Sequence, residues 1–125
     1  MNATRKAIPE LRSLFISGRL WFDKPGGNTY HAVSISANGK WLFDVGRTYG
    51  YEDQYLNTAL EYLKKFGLVS QEVKSVFELR ETVDLYTAFR YTLKKELFED
   101  SFANKKVNDY FSVLVKIEAL KKGEF

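Results

Sequence analysis

His31 is the only histidine in a chain without cysteine, and those two counts bound the chemistry at once. A histidine-rich metal centre, a thiolate site, a thiol nucleophile and a disulfide framework all need residues that are missing. His31 can act as a lone general base beside Asp23 or Asp44 if neighbouring strands bring such positions together. The reading adopted is plainer: a strand-end histidine bonded to backbone or to a carboxylate. Asp23, Asp44 and Asp53 are a conceivable Mg²⁺ cluster, but turn capping and surface charge explain them. HExxH, DxD and P-loop spacings do not occur. Gly26-Gly27 is a turn, because no helix N-terminus follows to hold a phosphate. We therefore expect no catalytic residue, no metal site and no cofactor.

Binding chemistry is better represented. The segment Arg47 to Tyr55 sets Tyr49, Tyr51 and Tyr55 with Arg47 and Gln54 around Gly50, at a strand-to-helix junction. Such junctions bring side chains and free backbone N–H groups to one rim. The rings can stack on bases or on a peptide while Arg47 and Gln54 supply hydrogen bonds; alternatively the tyrosines seal the edge between sheet and helix. Arg19, Trp21, Lys40 and Arg47 can line an open sheet face, a mixture of cations and rings found in single-strand binders. If later helices cover Trp21 instead, no platform exists. The candidate binding set is Arg19, Trp21, Tyr30, His31, Arg47, Tyr49, Tyr51 and Gln54.

These residues are positioned by an expected α+β fold in one domain spanning residues 1–125, with 1–12 as a polar arm that holds at most a short turn near Pro9 and Leu11. Leu14, Ile16, Leu20 and Phe22 alternate with Ser17, Arg19, Trp21 and Asp23, the period-two pattern of a strand. Gly18 within it marks a bulge or a close backbone approach. Lys24-Pro25-Gly26-Gly27-Asn28 is a turn, Thr29 to Ser36 a second strand, and Asn38-Gly39 a type I′ hairpin signal. A third strand, 40–47, places Trp41, Phe43 and Val45 on one face. The result is a three-stranded antiparallel meander over about 14–47.

Helices follow at about 53–66, 71–99 and 104–121. Leu56, Ala59, Leu60 and Leu63 recur at helical spacing, Glu52 and Asp53 fall in the first turn, and Gly67 can cap the end. Ser70 can cap the next helix, whose stripe runs through Val73, Val76, Val83, Tyr86, Phe89, Leu93 and Leu97. It is one helix or two pieces broken near 82–87, where β-branched Thr82-Val83 leaves a strand open. Val107, Leu114, Ile117 and Leu120 mark the last helix, closed by Gly123. Val113-Leu114-Val115 makes it apolar almost all round, so a second side should be covered within the chain or by a second copy, giving a homodimer.

Apolar residues make up 45% and charged residues 28% of the 125, as in globular rather than disordered chains. Residues 1–50 hold seven Lys/Arg against three Asp/Glu, and 51–125 hold twelve against thirteen, so the net +3 belongs to the sheet half. That bias permits a phosphate-bearing or acidic partner without requiring one. Aromatic residues reach 16%, which enriches cores and binding surfaces alike. No apolar run of ~18 residues is present for a membrane span, and the N-terminus lacks a signal-peptide apolar region. A cytoplasmic location fits the absence of cysteine.

In order along the chain, Trp21-Phe22-Asp23, Gly27-Asn28-Thr29-Tyr30-His31 and Tyr49-Gly50-Tyr51 with Gln54-Tyr55 resemble a group of small, largely uncharacterised proteins of bacteriophages and other mobile elements. The resemblance covers roughly residues 14–66. It implies a viral accessory role inside a host cell, with a host protein or protein–nucleic acid complex as partner. The expected function is non-enzymatic binding, such as inhibition of a host or defence factor. The alternative is a nucleic-acid-binding module using DNA or RNA on the same face. Less favoured is a small-ligand binder or enzyme using His31 with Asp23.

Overall fold

The computed structural model describes residues 6–50, 52–92 and 109–125. Strands β1 (Ser13–Asp23), β2 (Asn28–Ala37) and β3 (Lys40–Tyr49) form the antiparallel meander expected from the alternation. The β2–β3 hairpin turns through Asn38 and Gly39 at φ 53° and 83°, the two left-handed residues that a type I′ turn demands. The β1–β2 turn closes through the Gly27 N–H and the Asp23 carbonyl at 2.7 Å, with Gly27 at φ 68°. Helix α1 (Gln54–Lys65) follows. It ends as Gly67 implied: the Leu68 and Gly67 N–H groups reach the Leu63 and Lys64 carbonyls, each at 3.0 Å, the paired bonds of a Schellman motif. Its start differs from expectation. Asp53 is the capping residue and Glu52 is left-handed at φ 54°, so neither lies in the first turn.

The expected helix over 71–99 is replaced by a 3₁₀ turn (Val76–Glu81) and a fourth strand, β4 (Asp84–Tyr91). The cap is Ser75 rather than Ser70: the Ser75 Oγ accepts from the Phe77 N–H at 3.2 Å, and Glu78 reaches back to the Ser75 N–H at 3.0 Å. β4 adds to the free edge of β1 in parallel, giving the sheet order β3-β2-β1-β4. Two forces override the helical stripe. Tyr, Thr and Phe favour the extended state, and the open edge of β1 carries backbone groups that need partners. The ladder even exceeds the strand, with Asp84 N–H to Arg12 carbonyl at 2.9 Å and Thr92 N–H to Leu20 carbonyl at 2.7 Å. The remainder of that expected helix, and residues 104–108 of the last one, lie outside the described residues. The last helix, α2, is described over Tyr110–Lys121.

Residues 6–12 are not a loose arm. Ala7 bridges to Val69, the Ile8 and Ser70 N–H groups bond to the Leu68 and Lys6 carbonyls, and Leu11 is buried. Asn38 fastens the same strap. Its Oδ1 accepts from the Arg12 and Ser13 N–H groups at 2.8 and 3.0 Å, and its Nδ2 donates to the Glu10 carbonyl at 2.8 Å. One residue therefore serves as both turn former and anchor.

The core lies between the inner sheet face and the helices. Leu14, Ile16, Leu20, Val33, Ile35, Phe43 and Val45 meet Leu56, Ala59, Leu60 and Leu63 of α1, with Val113, Ile117 and Leu120 of α2 in the same cluster. Each large aliphatic or aromatic side chain so buried contributes about 1.5–3 kcal/mol. Trp41 departs from its expected face. The pairing steps from Ile35↔Phe43 to Ser36↔Trp41, a bulge in β3. Leu42 and Phe43 both turn inward and Trp41 turns out, as an extra residue in one strand must cause. Gly18 is a close approach rather than a bulge: the β1–β2 register runs through it unbroken, and the Tyr55 ring of α1 lies against its Cα.

Candidate functional site

The strand periodicity that buries Leu14 to Leu20 sends the intervening residues to the outer sheet face. There the register aligns Tyr49 of β3, Tyr30 of β2 and Trp21 of β1 in one row. Trp21 and Tyr30 stack at 5.7 Å between ring centroids, and Tyr30 meets Tyr49 edge-on at 5.9 Å. Both are favourable aromatic geometries. Tyr49 at the end of the row is 61% exposed, while Trp21 and Tyr30 are half-buried. One step along β1, Arg19 has Ala32 on one side and Arg90 of β4 on the other. Ser17, Ser34 and Ala88 follow, small residues that leave a flat floor.

A second aromatic row closes the far end of this face. Trp41, Ser36, Phe15 and Tyr86 align across β3, β2, β1 and β4. The three rings are 49%, 42% and 62% exposed respectively. None of them belonged to the expected binding set. Phe15 was legible, since it has the parity of Ser17, Arg19 and Trp21. Tyr86 fits the helical stripe expected over 71–99 but lies in β4, and the bulge moves Trp41 to this face. The Trp41 indole N–H donates to the Asp44 carboxylate at 2.9 Å. The Lys116 ammonium of α2 sits 3.6 Å from its ring centroid and donates to the Leu42 carbonyl at 3.2 Å. Burial lowers the Lys116 pKa, opposed by the charges of Asp109 and Asp44. This cation–π contact pins α2 to the β3 edge.

His31 belongs to the other side. It is 1% exposed on the inner face, so it cannot meet a partner and leaves the binding set. Its Nδ1 lies 3.1 Å from the Gly50 carbonyl and its Nε2 lies 2.7 Å from the Thr58 hydroxyl. A carbonyl only accepts, so Nδ1 carries the proton and Thr58 donates to Nε2. Burial lowers the His31 pKa, and the Gly50 carbonyl partly offsets this by holding the protonated nitrogen. The partners are backbone and hydroxyl, not Asp23 or Asp44, which removes the general-base arrangement. His31 instead ties β2 to the β3–α1 junction and to α1, behind the tyrosine row.

Gln54 opens α1, exposed, and accepts from the Asn57 amide at 3.2 Å. A Cβ at Gly50 would overlap the Gln54 side chain, and Gly50 holds φ 149°, so this junction requires glycine. Tyr55 points inward and is buried against Gly18 and Phe89. Tyr51 and the Arg47 side chain lie outside the described residues. The structure thus unites Arg19, Trp21, Tyr30 and Tyr49 on one face, separates His31 from them, and leaves Gln54 at the rim.

Among the described residues no group of three or more His, Cys, Asp or Glu could hold a metal ion, and no helix is long and apolar enough to cross a membrane. Comparison with family models, with curated protein sequences and with solved structures returns no match for this chain.

Proposed function

We propose that this protein is a non-enzymatic binding protein that engages a partner through the outer face of its sheet. The observation that carries the reading is the Tyr49–Tyr30–Trp21 row, ordered by ring contacts across three strands and ending on an exposed Tyr49. Rings already fixed by their neighbours lose little entropy on binding, which suits them as anchors. The partner is a protein, or a protein–nucleic acid complex, of the host cell in which an accessory protein of a mobile element acts. Inhibition of that host factor is the expected consequence.

A pull-down from host lysate with and without nuclease tests this. A protein retained after nuclease, and lost with Tyr49→Ala, supports the reading; retention by Tyr49→Ala as strong as by the parent chain refutes it. A second reading, a nucleic-acid-binding module on the same face, is supported by Arg19 lying beside Arg90 next to the rings. It requires affinity for single-stranded DNA or RNA that falls steeply with salt, because phosphate contacts release counterions. Absent or salt-insensitive binding removes it.

A further inference from the structure

We infer that the free edge of β4 is a self-association site, where β4 of a second copy pairs antiparallel about a two-fold axis through Thr87. The inference does not rest on the outer-face reading. An unpaired strand edge is a template for another strand, and folded proteins usually blunt it with bulges, charge or cover. The β3 edge is blunted in this way: the ladder shifts register between Ile35 and Ser36, and Lys116 of α2 occupies the Leu42 carbonyl at 3.2 Å. β4 lacks such devices. It ends the sheet on the other side and runs 8 residues in unbroken register with β1, without proline, glycine or lysine. Among the described residues no strand pairs with its far side. Every residue in it except Leu85 is exposed, Tyr86, Phe89 and Tyr91 included.

The backbone fixes which groups this edge offers. The Asp84 N–H bonds to the Arg12 carbonyl at 2.9 Å, and the Thr92 N–H to the Leu20 carbonyl at 2.7 Å. In a parallel ladder alternate residues turn toward the neighbouring strand. Asp84, Tyr86, Ala88 and Arg90 therefore serve β1, while Leu85, Thr87 and Phe89 aim N–H and carbonyl outward. An antiparallel copy meets them group for group. Thr87 exchanges both bonds with its counterpart on the axis, and Leu85 exchanges both with Phe89 of the second copy.

The side chains select the same register. Asp84 and Arg90 share the outer face and lie three positions either side of Thr87, so each carboxylate meets the other copy's guanidinium. Leu85 meets Phe89 on the inner face, and Tyr86 meets the small Ala88 on the outer one. Opposite charges and apolar pairs directly across strands both stabilise a pairing. Arg90 also has contacts within its own chain, and a guanidinium carries donors enough for both. Moving the axis to Ala88 sets Asp84 opposite Thr92 and Arg90 opposite Tyr86, which loses both ion pairs. The pairing consumes the edge, so assembly closes at two copies. It joins two four-stranded sheets into one, with both outer faces on the same side.

Sedimentation from about 10 μM to about 1 mM, the range in which weak association is read, should show the parent chain rising from 14.5 kDa toward twice that mass. Over the same range amide exchange at Leu85, Thr87 and Phe89 should slow with concentration, while Tyr86 and Ala88, bonded to β1 in either state, should change little. Asp84→Lys and Arg90→Glu each set like charges opposite one another and should raise the dissociation constant about tenfold or more; circular dichroism melts check that each folds. An equimolar mixture of the two variants, or one chain carrying both substitutions, restores two ion pairs and should regain the parent's association. A parent chain that stays monomeric at about 1 mM overturns the inference and leaves the edge to an extended segment of another protein. Association without slower exchange at Leu85, Thr87 and Phe89 overturns it as well, as does a mixture that associates no better than either variant alone. If a variant fails to fold, the exchange pattern of the parent chain decides.

Discussion

Gly18→Ala adds one methyl group at the point where sheet and helix come closest. An ideal Cβ there stands 2.7 Å from two carbons of the Tyr55 ring and 3.1 Å from a third, whereas carbon atoms prefer ~3.5–4.0 Å. The ring must retreat by close to 1 Å. It has little room, because Phe89 touches it at 6.0 Å between centroids and Thr87 hydrogen-bonds its hydroxyl. Inserting a methyl into so packed a site costs about 1–3 kcal/mol. Alanine recovers about 0.4–1 kcal/mol by restricting the unfolded chain. The net loss is therefore about 1–2 kcal/mol, which lowers the melting temperature of a domain this size by ~3–8 °C. Thermal melts of the parent, Gly18→Ala, Tyr55→Ala and the double variant form a double-mutant cycle. With the ring removed the methyl has space, so Gly18→Ala should be neutral or stabilising in the Tyr55→Ala background. A Gly18→Ala protein that melts at or above the parent refutes the argument. An equal loss in both backgrounds refutes it too.

Three further outcomes follow from the same geometry. Asn38→Ala removes the side-chain bonds to Glu10, Arg12 and Ser13 and puts alanine at a left-handed turn position, so urea unfolding should show a loss of about 2–4 kcal/mol; hydrogen exchange at the Arg12 and Ser13 amides should speed up. His31 is neutral and buried, with its pKa held below the ordinary 6.5. The unfolded chain therefore takes up a proton that the folded chain refuses, and stability is full above about pH 6.5 and falls as pH drops through 6.5 toward the folded value. His31→Gln should flatten that part of the pH–stability profile, and an unchanged slope would assign it to other groups. Ser75→Ala removes the cap of the 3₁₀ turn and should cost about 0.5–2 kcal/mol in chemical denaturation, with no change at Tyr49.

Local chemistry was sufficient for the meander and for the helix that follows it. Pro25, Gly27 and Asn38-Gly39 act through their own backbone preferences, and the alternation of β1 and β2 needs no knowledge of what lies above it. Gly67 and Gly123 end their helices for the same reason. What the tertiary structure decided was every placement that depends on a distant partner. Residues 84–91 carry a pattern that reads as a helical stripe, and only the unpaired edge of β1 makes them a strand. A bulge opposite Ile35 and Ser36 turned Trp41 outward and so completed the second aromatic row. His31 looked available because strand parity alone does not say which face is buried; α1 and the Gly50 junction close over it. The sequence held the alternation of rings, cations and small residues along each strand. Their assembly into rows across four strands rests on register, which is fixed by turns, by two register shifts between β2 and β3 at His31/Val33 and Ile35/Ser36, and by a parallel pairing between segments some seventy residues apart.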